Sequence, residues 1–239
     1  MTCKLCLREE KLIKSHIIPD FFYKGVKDNH GGIIRIDNSN QAQRVDYPKS
    51  GEYEKLLCFD CDNKRIGQLD DYASSLHGNE SLLSFEDQNR QIVFPVTFER
   101  YKLFLLSILW RASIAERFFW SSVKLQKELE EQLRIQILER KLNEEDSFPC
   151  IGLRFQDKKI KNPFFVMSPL HYKGDKTEFY TFIFGGYMWV FFKSLDDYQE
   201  FDNYPLIQNN DKIYFPKKWL SEIPFLDDEV KKSMRMGKK

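Results

Sequence analysis

Two Cys-x-x-Cys pairs, Cys3/Cys6 and Cys58/Cys61, constrain the fold of this chain more than any other feature of its sequence. Each pair has the short spacing at which two thiolate sulfurs bind one tetrahedral zinc ion. Four thiolates close the coordination shell, so the expected Zn²⁺ is structural and joins two distant stretches of chain. The alternatives are ordinary buried thiols or a disulfide, and two matched pairs favour the metal.

The composition predicts a globular protein in a reducing compartment. A chain of 239 residues with 42% hydrophobic residues can bury a sizeable core. We expect a cytoplasmic location and no membrane association, because no signal-like start and no bilayer-length apolar run is visible. Such a compartment suits cysteines that bind metal, and the fifth cysteine, Cys150, is expected in a core.

The charge of the chain is almost balanced, with 37 Lys and Arg against 36 Asp and Glu. A protein that binds nucleic acid usually carries a positive patch, and neither half of this sequence is a basic block. A local patch is still compatible with these numbers. The candidates for nucleic-acid contact are Lys14, Lys64 and Arg65, although such residues are more often only solvated.

The pattern of apolar residues predicts an α+β fold. Short strands are expected at residues 12–18, 32–36 and 43–47, and helical spacing begins after Cys61 at residues 62–76. A polar stretch before Pro95 suggests a boundary between a unit at 1–85 and a larger one at 95–239. No role is predicted for the larger unit beyond contact with a partner or substrate.

The larger unit is expected to hold a helical hairpin followed by an antiparallel sheet. A wide apolar stripe from Tyr101 to Phe119 predicts a buried helix that Thr97 can cap, and residues 125–142 predict a second helix with one apolar side. Strands are expected at 150–155, 164–167, 179–184 and 187–192, with Gly185-Gly186 as a hairpin turn. Their many aromatic residues are expected to form a core.

The N-terminal text resembles the zinc-bearing HNH endonucleases. That family has a cysteine pair, then a strand with a histidine, then a second cysteine pair that opens a helix. The matching segments here are, in the same order, Cys3-Lys4-Leu5-Cys6, Ser15-His16-Ile17-Ile18-Pro19 and Leu57-Cys58-Phe59-Asp60-Cys61-Asp62-Asn63. The resemblance covers about residues 1–76. The chain is also similar to uncharacterised bacterial proteins with Ser-His-Ile-Ile-Pro and a later Leu-Trp-Arg, here Leu109-Trp110-Arg111.

The resemblance implies a zinc-knuckle ββα module of the treble-clef type and a metal-dependent endonuclease. His16 would be the general base that takes a proton from water, since imidazole ordinarily titrates near neutral pH. Asp62, with Asn63 beside it, would hold a catalytic Mg²⁺ or Mn²⁺. The implied substrate is nucleic acid, expected to be DNA, and a role in bacterial defence is an extrapolation from the resemblance.

Three departures from the family pattern support an alternative. Ser15 stands where the family often has an acidic residue or a histidine, Asp62 replaces the usual asparagine or histidine, and the family's middle asparagine has no clear counterpart. The alternative is a non-catalytic zinc-finger module that binds nucleic acid or a protein partner. In that case His16 packs in a hairpin, hydrogen-bonds a backbone carbonyl or supports the zinc site.

Other polar residues are interpreted more simply. His77 is expected at a helix C-terminus, where a partial positive charge suits the helix dipole. His30 is expected in a turn, and His171 has no partner that its spacing identifies. Four carboxylates are expected to be solvated rather than ligands: Glu52, Glu54, Asp70 and Asp71.

Overall fold

A computed structural model of the chain describes residues 1–23, 33–37, 44–78, 83–87, 90–93, 96–143, 148–156, 165–210, 212–219 and 222. In that part of the chain helices and strands are both present, which confirms the α+β class. No helix there has the length and apolar character needed to cross a bilayer. His30 lies outside these residues.

The elements follow one another along the chain in a mixed order. The strands are β1 Leu12–His16, β2 Arg35–Asp37, β3 Arg44–Asp46, β4 Tyr53–Cys58, β5 Leu83–Asp87, β6 Arg90–Val93, β7 Cys150–Gln156, β8 Val166–Lys173, β9 Glu178–Phe184, β10 Tyr187–Phe192 and β11 Ile213–Trp219. The α-helices are α1 Gly67–His77, α2 Phe98–Ser113, α3 Lys127–Glu139 and α4 Leu195–Tyr198. A π-helical segment, Asp60–Ile66, runs directly into α1.

Nine of these strands form one sheet in the order β3-β2-β8-β9-β10-β7-β11-β6-β5. The four strands predicted for the C-terminal sheet, β7 to β10, pair antiparallel as predicted. The larger sheet is mixed, because β2 pairs with β8 and β11 pairs with β7 in parallel. The tight turn between β9 and β10 is confirmed. Gly185 and Gly186 have φ of 63° and 80°, the left-handed conformation that such a hairpin requires.

Strands β1 and β4 pair separately as a two-stranded antiparallel sheet. The register shifts between Ile13 and Lys14, so that Leu56 on β4 has no partner on β1. The carbonyl of Leu56 instead accepts a hydrogen bond of 3.0 Å from the backbone N–H of Lys4. This bulge ties the first cysteine pair to the strand that ends at the second pair.

Helix α2 is central to the core. Its residues from Tyr101 to Ala112 are all buried, and α3 packs on it through Leu133 and Ile137. Thr97 stands at the N-cap position as predicted but makes no side-chain capping bond. The helix also ends at Ser113, earlier than predicted, and the following residues form a short 3-10 helix, Phe118–Trp120.

Aromatic residues fill the space between the helices and the large sheet, as predicted. Trp110, Trp120, Trp189 and Phe182 are each at most 1% exposed. Cys150 is buried there as well, at 1%. The division into 1–85 and 95–239 stays a prediction, and the large sheet takes strands from both sides of it.

Candidate metal centre and the adjoining polar site

The four cysteines meet at one point. Cys3 and Cys6 lie on a tight turn in which the Leu7 N–H donates to the Cys3 carbonyl at 2.9 Å. Cys58 is the last residue of β4, and Cys61 lies in the first turn of the π-helical segment. All four Sγ atoms lie within 4.8 Å of one another, and the four thiols are free of disulfides.

This geometry fits a tetrahedral zinc ion. With Zn–S bonds of about 2.3 Å, the sulfurs of such a site lie about 3.8 Å apart, and Cys6 Sγ is 3.9 Å from Cys58 Sγ. Burial is the largest effect on these thiols, and it raises the pKa of Cys58 and of Cys61. Four sulfurs held this close, three of them buried, are suited to a bound cation that compensates their charge.

Backbone donors also favour a thiolate at the first pair. Burial acts to raise the pKa of Cys3, but hydrogen bonds from the backbone of Cys6, Cys58 and Leu5 outweigh it and lower that pKa. One of these donors is the Cys58 N–H, 3.3 Å from Cys3 Sγ. Hydrogen bonds from backbone N–H groups to sulfur are an expected support for a metal-binding thiolate.

A second polar site adjoins the cysteines. His16 is the last residue of β1 and is half-buried, and Asp62 stands one residue after Cys61. Burial raises the pKa of Asp62, while Ser15, Arg111 and the His16 ring lie close enough to lower it in part. Asp62, at the start of one helix, therefore lies within electrostatic range of His16, at the end of one strand.

Ser15 is fully buried beside this pair. Its hydroxyl is near the Asp62 carboxylate, as its effect on the pKa of Asp62 requires, yet the hydroxyl makes no hydrogen bond of normal geometry. The register of β1 turns Ser15 inward and leaves His16 partly exposed. A hydroxyl in this place is a weaker ligand for Mg²⁺ or Mn²⁺ than the carboxylate would be.

Arg111 fixes the geometry of the site from α2. Its guanidinium, 1% exposed, donates to the carbonyl of His16 at 2.8 Å and to both carboxylate oxygens of Asp70 at 3.0 and 3.1 Å. Asp70 lies on α1, about two turns after Asp62. Burial raises the pKa of Asp70 and Arg111 counteracts it, so the expectation of a solvated Asp70 is wrong.

Asn63 is placed differently from Asp62. Its side chain is exposed, and its Nδ2 donates to the carbonyl of Phe59 at 3.2 Å, at the beginning of the same helical segment. Lys64 and Arg65 are also engaged locally. Lys64 is 2.7 Å from Asp60, and Arg65 donates to the Leu138 carbonyl at 2.7 Å.

Two glutamates, one just before β4 and one within it, are structural. Glu52 is 4% exposed and pairs with Arg35 and, at 3.4 Å, with Arg117, so the expectation that it is solvated is wrong. Glu54 accepts hydrogen bonds from the backbone N–H groups of Glu116 and Arg117 at 2.9 and 3.0 Å. Together these contacts hold the segment after α2 against β4.

The remaining histidines lie elsewhere. His77 ends α1 as predicted, but its partly buried ring packs among aromatic rings and hydrogen-bonds the Tyr101 hydroxyl at 2.8 Å, and loss of solvent around the ring lowers its pKa to about 3. The predicted favourable positive charge at this helix end is therefore wrong. His171 is 3.1 Å from Glu178 and stacks on Tyr180.

Sequence reasoning missed Arg111 and Asp70 as parts of the site. One signal was available: Arg111 stands between Trp110 and Ala112 in an apolar helix, and a buried arginine requires a carboxylate partner. Nothing in the spacing of Asp70 identifies it as that partner.

Comparison with known proteins adds no relative. No family model matches the chain, and no curated protein and no solved structure matches it either.

Proposed function

We propose that this chain is a metal-dependent HNH-like endonuclease that hydrolyses phosphodiester bonds in nucleic acid, with DNA as the expected substrate. In this proposal β1, β4 and the helix from Asp60 onward are the ββα module, and the four cysteines hold its structural zinc. The observation that supports the proposal is the position of the half-buried His16 at the end of β1, within electrostatic range of Asp62, which directly follows Cys61 of the cysteine cluster.

Each residue has a task that suits its position. His16 takes a proton from the attacking water, because its ring is partly exposed and its backbone is anchored by Arg111. Asp62 would hold the divalent ion with one of its carboxylate oxygens. Such an ion, Mg²⁺ or Mn²⁺, would neutralise charge on the phosphate and the leaving oxygen. Arg111 and Asp70 act through their hold on β1 and α1.

Cleavage of plasmid DNA with Mg²⁺ or Mn²⁺ tests the proposal. The native chain is expected to nick the plasmid, and His16→Ala and Asp62→Asn are each expected to lose about 100-fold or more of this activity. His171→Ala is the matched control, because that histidine pairs with Glu178 and should leave the rate unchanged. Asn63→Ala separates the two predicted helix residues, and only a loss of activity there would support Asn63 as a ligand.

A second function is favoured by one observation. The site offers few free ligands: Ser15 supplies a hydroxyl in place of a carboxylate, and Arg111 occupies both oxygens of Asp70. A zinc module that binds nucleic acid or a protein partner without cutting is consistent with a site in which few side chains are free to bind a catalytic ion. Retention of DNA in a gel shift, with no cleavage by the native chain under either metal, would support this alternative and contradict the nuclease.

A further inference from the structure

Two cations and one aromatic ring converge on the exposed side of His16. Tyr53 lies opposite His16 in the register of β4 and β1, with ring centroids 6.1 Å apart. Lys14 Nζ is 4.5 Å from the centroid of the Tyr53 ring and 3.3 Å from its hydroxyl. The Arg117 guanidinium is 5.8 Å from the same centroid. These distances are within the range of cation–π contacts.

The placement of Arg117 is built into the fold. Glu54 accepts hydrogen bonds from the backbone N–H groups of Glu116 and Arg117, which fixes the chain after α2 beside β4. The side chain of Arg117 is 53% exposed and meets Glu52 only at 3.4 Å, while Arg35 already pairs with that carboxylate. The guanidinium therefore keeps hydrogen-bond donors for a ligand on its exposed side.

The basic residues around this site differ in the partners they already have. Lys14 is exposed, and the contacts found for its ammonium group in the described structure are to Tyr53. Lys64, in contrast, pairs with Asp60, and Arg65 donates a hydrogen bond to a backbone carbonyl of α3. Of these basic residues near the cysteines, Lys14 and Arg117 are thus better placed to bind phosphate.

We propose that Lys14 and Arg117, held in place by Tyr53, bind backbone phosphates of a nucleic-acid strand. These phosphates are neighbours of the phosphate that reaches His16. This inference rests on the proposed nuclease function and deepens it. It makes the substrate a polynucleotide rather than a small phosphodiester, and it gives the segment after α2 a part in binding it. Lys14 and Arg117 touch substrate, and Tyr53 is a positioning residue.

Binding and cleavage are measured separately to test the proposal. In the His16→Ala chain, titration of a short fluorescent DNA duplex should show that Lys14→Gln and Arg117→Gln each weaken binding about tenfold, the effect of one charge-assisted hydrogen bond. Each should also lower the slope of log K against log salt by about 0.9, the value for one lost phosphate contact. Tyr53→Leu should weaken binding less than the double variant Lys14→Gln/Arg117→Gln.

A charge-matched variant makes the test specific. Lys173→Gln/Lys176→Gln removes two positive charges from exposed lysines at and after the end of β8 and should bind the duplex as the parent does. In the otherwise native chain, Lys14→Gln/Arg117→Gln should raise KM for DNA while the rate on a small phosphodiester such as bis(p-nitrophenyl) phosphate is unchanged.

Two results would overturn the inference. One is unchanged duplex binding by Lys14→Gln/Arg117→Gln, and the other is an equal loss in the charge-matched variant. Failure of the nuclease proposal is seen differently, as absence of metal-dependent cleavage by the native chain, whatever the binding data show.

Discussion

The cysteine region and the large sheet share one hydrophobic core but are held together in different ways. The cysteine region has two short paired strands, and a few polar residues fix it: four thiols and the Arg111 contacts. The nine-stranded sheet is packed through many buried aromatic side chains. Loss of one group should therefore affect the first region far more than the second.

Removal of the metal should give the largest difference in stability between the two regions. Structural zinc contributes about 10–16 kcal/mol to the folding of isolated zinc modules at neutral pH. We expect chelation, or Cys61→Ser, to release about one zinc per chain and to expose the amides of β1 and β4 to hydrogen exchange. The amides of β9 and β10 should stay protected, since their contacts do not pass through the cysteines.

The control for this experiment is Cys150→Ser. Cys150 is buried on β7 and lies outside the cysteine cluster, so this variant should keep its zinc even if its stability changes. Uniform loss of protection in all strands after chelation would show that the two regions do not differ in the way described. Absence of zinc from the native protein would remove the metal centre itself.

Arg111→Met should have the next largest effect. It leaves the Asp70 carboxylate without its bidentate partner and the His16 carbonyl without a donor, and breaking a buried ion pair from one side costs about 3–5 kcal/mol. We expect about 3 kcal/mol, because Asp70 keeps 20% of its side-chain surface exposed. Urea denaturation of the zinc-loaded chain would measure it.

The double variant Arg111→Met/Asp70→Asn serves as the control. Removing the carboxylate charge as well should restore part of the lost stability, because the uncompensated charge causes much of the loss. If the double variant is as unstable as the sum of the two single ones, packing of the arginine stem explains the effect and the ion pair does not.

The sequence predicted the parts of the fold that depend on local patterns. The cysteine pairs, the His16 strand and the Gly185-Gly186 hairpin each have a short signature and are found where expected, and α2 begins where expected but ends earlier, at Ser113. The parallel pairing of β2 with β8 and of β11 with β7 has no short sequence signature. It depends on contacts between residues far apart in the chain, so the sheet was expected to be purely antiparallel.

The polar site divides in the same way. His16 and Asp62 are identified by their neighbours in the sequence. Asp70 and Arg117 are instead placed by hydrogen bonds to residues on other elements. Glu52 shows the physical limit most clearly. Its surroundings in sequence are polar, but Arg35 and Arg117 approach it only in the folded chain, where it becomes 4% exposed.

His77 lies where the two regions meet, and it tests their contact through pH. The ring ends α1 and packs against Tyr101, Tyr187 and Trp189, with Arg154 close enough to affect its charge. Burial is the main cause that lowers its pKa from an ordinary 6.5 to about 3. Between pH 6.5 and pH 3 the histidine is therefore protonated in the unfolded chain and neutral in the folded chain. Stability is lost as the pH falls through this range.

The expected slope is about 1.4 kcal/mol per pH unit for this one group. His77→Gln, which can still hydrogen-bond Tyr101 but does not titrate, should lack this contribution. The free energy of unfolding of the native chain, minus that of the variant, should fall by about 1.6 kcal/mol between pH 6.5 and pH 5, because the unfolded histidine is already half protonated at pH 6.5. Zinc release and carboxylate titration occur in both chains and cancel in the difference. Parallel pH profiles would mean that water reaches the ring, and that the two regions meet less tightly at His77 than its aromatic contacts indicate.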